Sequence, residues 1–152
     1  MKFRTGALLL LAMSSLLVPA LGCQTVDLGA PPADVNLCEP SQQFFVDSIW
    51  PMFVGNDYGG KHCYDSGCHG PGGTAAMTLL NPTPIPAGTN ALPLPMDWAA
   101  NYAQVTHRMN CSDPLDSDLL IYPENRVPHG GGMLIMPTGP EATLVSDWIA
   151  AP

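Results

Sequence analysis

The apolar positions of this chain fall into three clusters with helical spacing, separated by long polar or Pro/Gly-rich stretches. Phe44, Phe45, Ile49 and Phe53 lie on neighbouring faces of one such pattern. Ser41 stands where a helix cap is expected, and Pro51 should kink or end the helix. Trp98, Tyr102, Val105 and Met109 recur at i, i+4, i+7 and i+11, a single buried stripe behind a capping Asp97. A last helix is expected from Pro140 and Glu141, a favourable first turn, with Leu144, Val145, Trp148 and Ile149 as its apolar face. Between the last two patterns, the short apolar run at residues 119–122 follows an Asp-rich turn. Residues 81–95 are rich in Pro and show no period. They are too apolar for a flexible linker and should lie extended over the domain. No segment alternates like a strand for long, so the fold should be mainly α, with long irregular loops.

The N-terminal pattern is different. Lys2 and Arg4 precede an apolar run over residues 7–18 and then small residues, the order of a secretory signal. The run is shorter than the roughly 20 apolar residues of a spanning helix. It ends in Ala20-Leu21-Gly22-Cys23, similar to the lipobox of bacterial lipoproteins, with Ala20 where Leu is more usual. Cleavage before Cys23 would leave that cysteine to carry lipid; an ordinary cut near Ala20 or Gly22 would leave it a free thiol. The expected organisation is a signal over residues 1–22, a lipidated tether over 23–40 and one domain over 41–152. Such a protein is exported and anchored to a bacterial membrane, facing the periplasm or the cell surface.

Composition changes the picture in two ways. Without residues 1–22 the basic residues fall from five to three, against 13 acids, a formal charge of 3 − 13 = −10. That argues against nucleic acid or anionic headgroups as partners and favours a basic redox protein. The 17 prolines and 15 glycines imply much loop and a limited core, which needs covalent staples.

Candidate chemistry centres on Cys63-Tyr-Asp-Ser-Gly-Cys68-His69. Two cysteines followed at once by a histidine is the order of c-type haem attachment: each thiol adds to a vinyl group, and the histidine becomes the axial ligand. The usual gap between the cysteines is two residues; here it is four. The extra residues could bulge from the porphyrin edge, with Gly67 tolerating unusual angles. Two other uses stay open at this level. Cys63 and Cys68 could form a small disulfide, and His62, Cys63, Cys68 and His69 are a set that zinc accepts. Setting Cys23 aside for lipid leaves Cys38, Cys63, Cys68 and Cys111, an even number in an oxidising compartment. If haem takes Cys63 and Cys68, then Cys38 and Cys111 remain to pair with each other.

In order and spacing, "IWPMF", "CYDSGCHG", "DSDLLIYP", "VPHGGG" and the closing "LVSDWIAAP" resemble the small c-type cytochrome domains of bacterial surface and periplasmic lipoproteins. The likeness spans roughly residues 41–152. The four-residue cysteine gap also occurs in that family. The resemblance implies a small cytochrome c-like helical domain around one covalent haem c, an apolar helix leading into the haem loop, and a closing Trp-Ile helix packing back near it. It implies thioethers at Cys63 and Cys68 and a proximal iron ligand at His69. For the distal ligand, Met136 before Pro137 is expected, with His129 in Pro128-His-Gly-Gly-Gly132 as the alternative and Met133 as a weaker third choice. A thioether raises the potential; a second imidazole lowers it.

His62 should point off the iron axis, and His107 lies off the apolar stripe, facing solvent. Asp113, Asp116 and Asp118 lack the alternation and closing Glu of a calcium loop, so they read as turn-forming acids. Two function classes follow: a membrane-tethered monohaem electron carrier, or a haem-free, disulfide-stapled surface lipoprotein with a binding or structural role. No nucleophile–base pair or phosphate loop is present to support hydrolase or transferase chemistry. Peroxidase-like activity would require an open or labile sixth position.

Overall fold

The computed structural model describes residues 39–73 and 75–151. The described residues form helices and loops and contain no strand. Ser41 Oγ accepts from the Phe44 amide at 3.2 Å and opens helix α1, an α turn at Gln42–Phe44 that continues directly as Phe45–Val54. The second part is wound in wide, π-type turns: the Gly55 amide bonds the Trp50 carbonyl, five residues back, at 2.6 Å. Pro51 lies inside this stretch and does not end it; of the expected kink or stop, only the stop is absent, and the winding around it departs from a regular α-helix. An α-helical Pro would clash with the carbonyl four residues back and lacks an N–H to bond. A wider turn moves that carbonyl away from the ring, whereas the missing N–H is absent in either winding.

Phe45, Ile49, Trp50 and Phe53 are buried along α1, whereas Phe44, expected among them, is largely exposed. The widened turn alters the face that each later residue presents. Helix α2, Met96–Thr106, buries Trp98, Val105 and, just beyond its end, Met109. Tyr102 is half-buried and donates its hydroxyl to the Pro40 carbonyl at 2.6 Å. The N-cap is Pro95; Asp97 sits instead in the first turn, accepting from the Trp98 amide at 2.9 Å and the Thr83 amide at 2.8 Å. His107 is exposed.

A 3₁₀ turn at Pro114–Asp116 precedes the one-turn helix α3, Asp118–Ile121. Helix α4, Pro140–Ala150, carries Pro at its start and buries Ala142, Val145, Trp148 and Ile149. It returns to α1: the Trp148 and Phe45 rings stack at 5.6 Å, and Trp148 Nε1 donates to the Ser41 carbonyl at 3.0 Å. The Pro-rich stretch at 81–95 lies over α1 and α2. The Gln43 side chain donates to the Thr89 carbonyl and accepts from the Ala91 amide, and Trp98 Nε1 donates to the Thr83 carbonyl.

Candidate functional site: a cavity between two histidines

The loop after α1 folds tightly on its own backbone. The His69 amide bonds the Cys63 carbonyl at 2.8 Å, and the Cys68 and Gly70 amides both bond the Asp65 carbonyl at 2.8 Å. The four residues between the cysteines are accommodated by turning Tyr64 inward. Its ring stacks between Trp50, at 5.9 Å, and His62, at 4.8 Å. Asp65 accepts from the His62 amide at 2.7 Å, closing the turn. The glycine that this fold requires is Gly70 rather than Gly67. A Cβ on Gly70 would collide with the Tyr64 carbonyl oxygen and lie 2.7 Å from the Asp65 carbonyl carbon, while one on Gly67 meets nothing within 4 Å.

This loop forms one wall of a cavity of about 290 Å³, near the lower end of the ~300–1,000 Å³ of small-molecule sites. Phe53 and Val54 of α1 and Leu119 of α3 supply its apolar floor. Cys63 and His69 enter from the cysteine loop, and Pro128, His129 and Gly130 from the loop between α3 and α4. Asp118, Tyr122 and Gly130 are exposed, so the rim reaches solvent.

His69 and His129 face one another here, their ring centroids 6.1 Å apart and their planes within 17°. An imidazole nitrogen sits about 2.0–2.1 Å from a bound first-row metal and the ring centre roughly 1.1 Å beyond, so two imidazoles on opposite sides of one ion have centroids about 6.2–6.4 Å apart. The observed centroid separation is close to that distance, and the two rings are in stacked contact. In each ring Nδ1 lies 3.3 Å from a backbone carbonyl, that of Met77 for His69 and that of Gly132 for His129. A carbonyl only accepts, so Nδ1 is the donor, and in the neutral tautomer this leaves the lone pair on Nε2. Metal-bound histidines are held in this way by their outer shell. Burial lowers the pKa of His69, opposed by the Met77 carbonyl and reinforced by His129 and Arg108, which favours the neutral ring.

The His129 loop is shaped for this pose. Asn125 has a left-handed φ of 58° and accepts from the His129 amide through Oδ1 at 3.3 Å. A Cβ on Gly131 would press to 3.2 Å from the His129 ring. Buried Glu124 accepts from Arg126 Nε at 2.6 Å, and Arg126 also donates to the Leu115 carbonyl, which ties the loop to the 3₁₀ turn.

Met136, the expected distal ligand, does not line the cavity, and its side chain is 58% exposed; Met133 is equally exposed. The reason is local. Gly132 turns at φ 73°, and the Leu134 and Ile135 amides then bond the Pro123 carbonyl, carrying Met136 past the opening. Cys68 is half-buried and lies outside the wall, unlike Cys63. Both are free thiols, so they are not joined to each other. Burial pushes the Cys63 thiol up to about 12, with Cys68 adding to the rise, which keeps it protonated. Among the described residues no three His, Cys, Asp or Glu side chains converge on a metal-sized point, so the zinc set of His62, Cys63, Cys68 and His69 is not gathered. His62 is instead occupied by Tyr64 and, at 3.9 Å, by Asp65.

Cys111 is disulfide-bonded. Cys38, its expected partner, and Cys23, the expected lipid carrier, lie outside the described residues, as do the expected signal and most of the expected tether. Sequence reasoning overlooked Tyr58, Met77 and Arg108, which also line the cavity. Arg108 had one available signal: it is one of only three Lys or Arg residues after position 22. Comparison with protein-family models, with curated proteins and with solved structures finds no match to this chain.

Proposed function

We propose that this chain is a membrane-tethered monohaem c-type cytochrome carrying electrons in the periplasm or at the cell surface, its cavity part of a small cytochrome c-like helical domain. The observation that carries this reading is the pair of stacked imidazoles, their centroids 6.1 Å apart and each Nδ1 on a backbone carbonyl, beside the half-buried Cys63 thiol in the same wall. His69 is the proximal ligand. His129, rather than Met136, is the distal one, which places the protein in the bis-imidazole, low-potential class. Cys63 and Cys68 are the thioether residues, Cys23 the lipid anchor, and Cys38 with Cys111 the staple. Haem c would supply reversible one-electron chemistry at its iron. The chain's own residues bind and orient it, exclude water with Phe53, Val54 and Leu119, and set its potential through ligands and local charge. The acidic surface suits a basic redox partner.

The test is the absorption spectrum of the exported protein from a host that matures c-type cytochromes. A Soret band surviving acid–acetone extraction is expected. A mature protein without that band contradicts the proposal and leaves the haem-free, disulfide-stapled surface lipoprotein as the reading.

A further inference from the structure

One segment of backbone connects the proximal histidine to α2 through bonds that alternate along it. Over residues 76–80 the odd-numbered residues bond His69: the Met77 carbonyl faces its Nδ1 at 3.3 Å, and the Leu79 amide donates to its carbonyl at 2.6 Å. The even-numbered residues bond α2 and the turn that follows it. The Ala76 carbonyl accepts from Arg108 Nη2 at 2.6 Å, and the Thr78 amide donates to Gln104 Oε1 at 3.3 Å. The Leu80 amide donates to Asn101 Oδ1 at 2.8 Å, and Asn101 Nδ2 returns a bond to the Leu80 carbonyl at 3.0 Å. Asn101 and Gln104 lie at i and i+3 on one side of α2, and Arg108 follows in the turn just past its end. Asn101 is fully buried, with both ends of its amide committed here. A buried amide is costly unless paired, so this bond anchors the segment firmly. Leu79 is fully buried and pins the same segment to the core.

We propose that Asn101, Gln104 and Arg108 are positioning residues for the proximal imidazole, acting through the 76–80 segment as a splint. It rests on the haem reading above. By holding the Met77 carbonyl against Nδ1–H, α2 fixes the tautomer and rotation of the His69 ring and keeps the imidazole strongly electron-donating. Loosening the splint weakens that donation and destabilises oxidised iron, so the potential rises.

The experiment uses the full-length, haem-loaded protein with Gln104→Ala and Asn101→Ala, and Gln104→Glu as the variant that keeps an acceptor for the Thr78 amide. Three readouts are taken: hydrogen exchange at the Thr78 and Leu80 amides, electron paramagnetic resonance of the oxidised haem, and midpoint potential. In Gln104→Ala the Thr78 amide should exchange roughly 2- to 10-fold faster, the loss of one net hydrogen bond. The g-values should shift or broaden and the potential should rise. Asn101→Ala should do the same more strongly at Leu80, and Gln104→Glu should keep the parental g-values. If Asn101→Ala does not fold, Gln104→Ala decides alone. Faster exchange with unchanged g-values and potential would show that α2 merely holds the loop, and would overturn the proposal; so would unchanged exchange. Parental protein lacking a Soret band would instead remove the haem reading, and this inference with it.

Discussion

Gly70 follows His69 directly, and the space for its side chain is already filled by the backbone of residues 64–66. Gly70→Ala should therefore cost about 1–3 kcal/mol in urea unfolding and reduce haem loading, because the loop must open to admit the methyl group. Gly67→Ala should be neutral within about 0.5 kcal/mol, since its Cβ would meet nothing. The cysteines should also differ. Cys63 is in the cavity wall and Cys68 is outside it, so intact-mass analysis of Cys63→Ala should show a lower haem-bearing fraction than Cys68→Ala. Equal loss in both would mean that the wall rearranges around the cofactor. The Cys-Cys-His order is legible in sequence because it needs only adjacency. That His129 lines the cavity and Met136 does not is not legible there, because it depends on where a glycine turn points a loop. Gly132 and the two amides on the Pro123 carbonyl swing Met136 outward, and no spacing rule contains that turn.

At the scale of elements, α1 and α4 form the frame that holds the cysteine loop. Their contact runs through Phe45 and Trp148, and Phe45 also meets Trp50, Trp98 and Tyr102 edge-on. Phe45→Ala should cost about 3–5 kcal/mol, read as a lowered unfolding midpoint with the slope unchanged. Helix α2 has an acid-sensitive start. Asp97 accepts from the Thr83 and Trp98 amides, and these bonds hold its pKa below the ordinary carboxylate value. A depressed folded pKa stabilises the protein above the unfolded value of about 3.9, and that contribution disappears as pH falls through the lower folded value. Acid unfolding of Asp97→Asn should accordingly show a shallower loss of stability below about pH 4 than the parent. The three main helices and most of their buried faces were legible, since apolar period 3.6 survives any arrangement of loops. The π-type winding of 45–54 was not. Pro51 signals only that an α turn cannot continue, and packing of Trp50 and Phe53 into the core decides that the helix widens instead of stopping. The role of Asn101 was hidden as well, because a buried amide among apolar stripe positions is polar in the sequence and satisfied only by the distant Leu80 backbone.

Among the described residues, a limited core borders a cavity lined by the end of α1, the cysteine loop and the segment after it, Arg108, α3 and the His129 loop. The 17 prolines and 15 glycines that suggested a loop-rich domain are what allow such distant segments to meet with few helices. The net negative surface adds a kinetic expectation. Electron exchange with a basic partner should slow as ionic strength rises, and exchange with an acidic one should be slow at low salt. Stopped-flow rates against salt would separate these. The central claim is that iron is held between His69 and His129. It is tested most directly by the oxidised absorption spectrum of His129→Ala beside that of the parent. The account predicts a low-spin parent without the weak far-red band of sulfur–iron charge transfer, and a high-spin His129→Ala that takes up added cyanide readily. A low-spin His129→Ala, or a parental sulfur–iron band abolished by Met136→Ala, would contradict it.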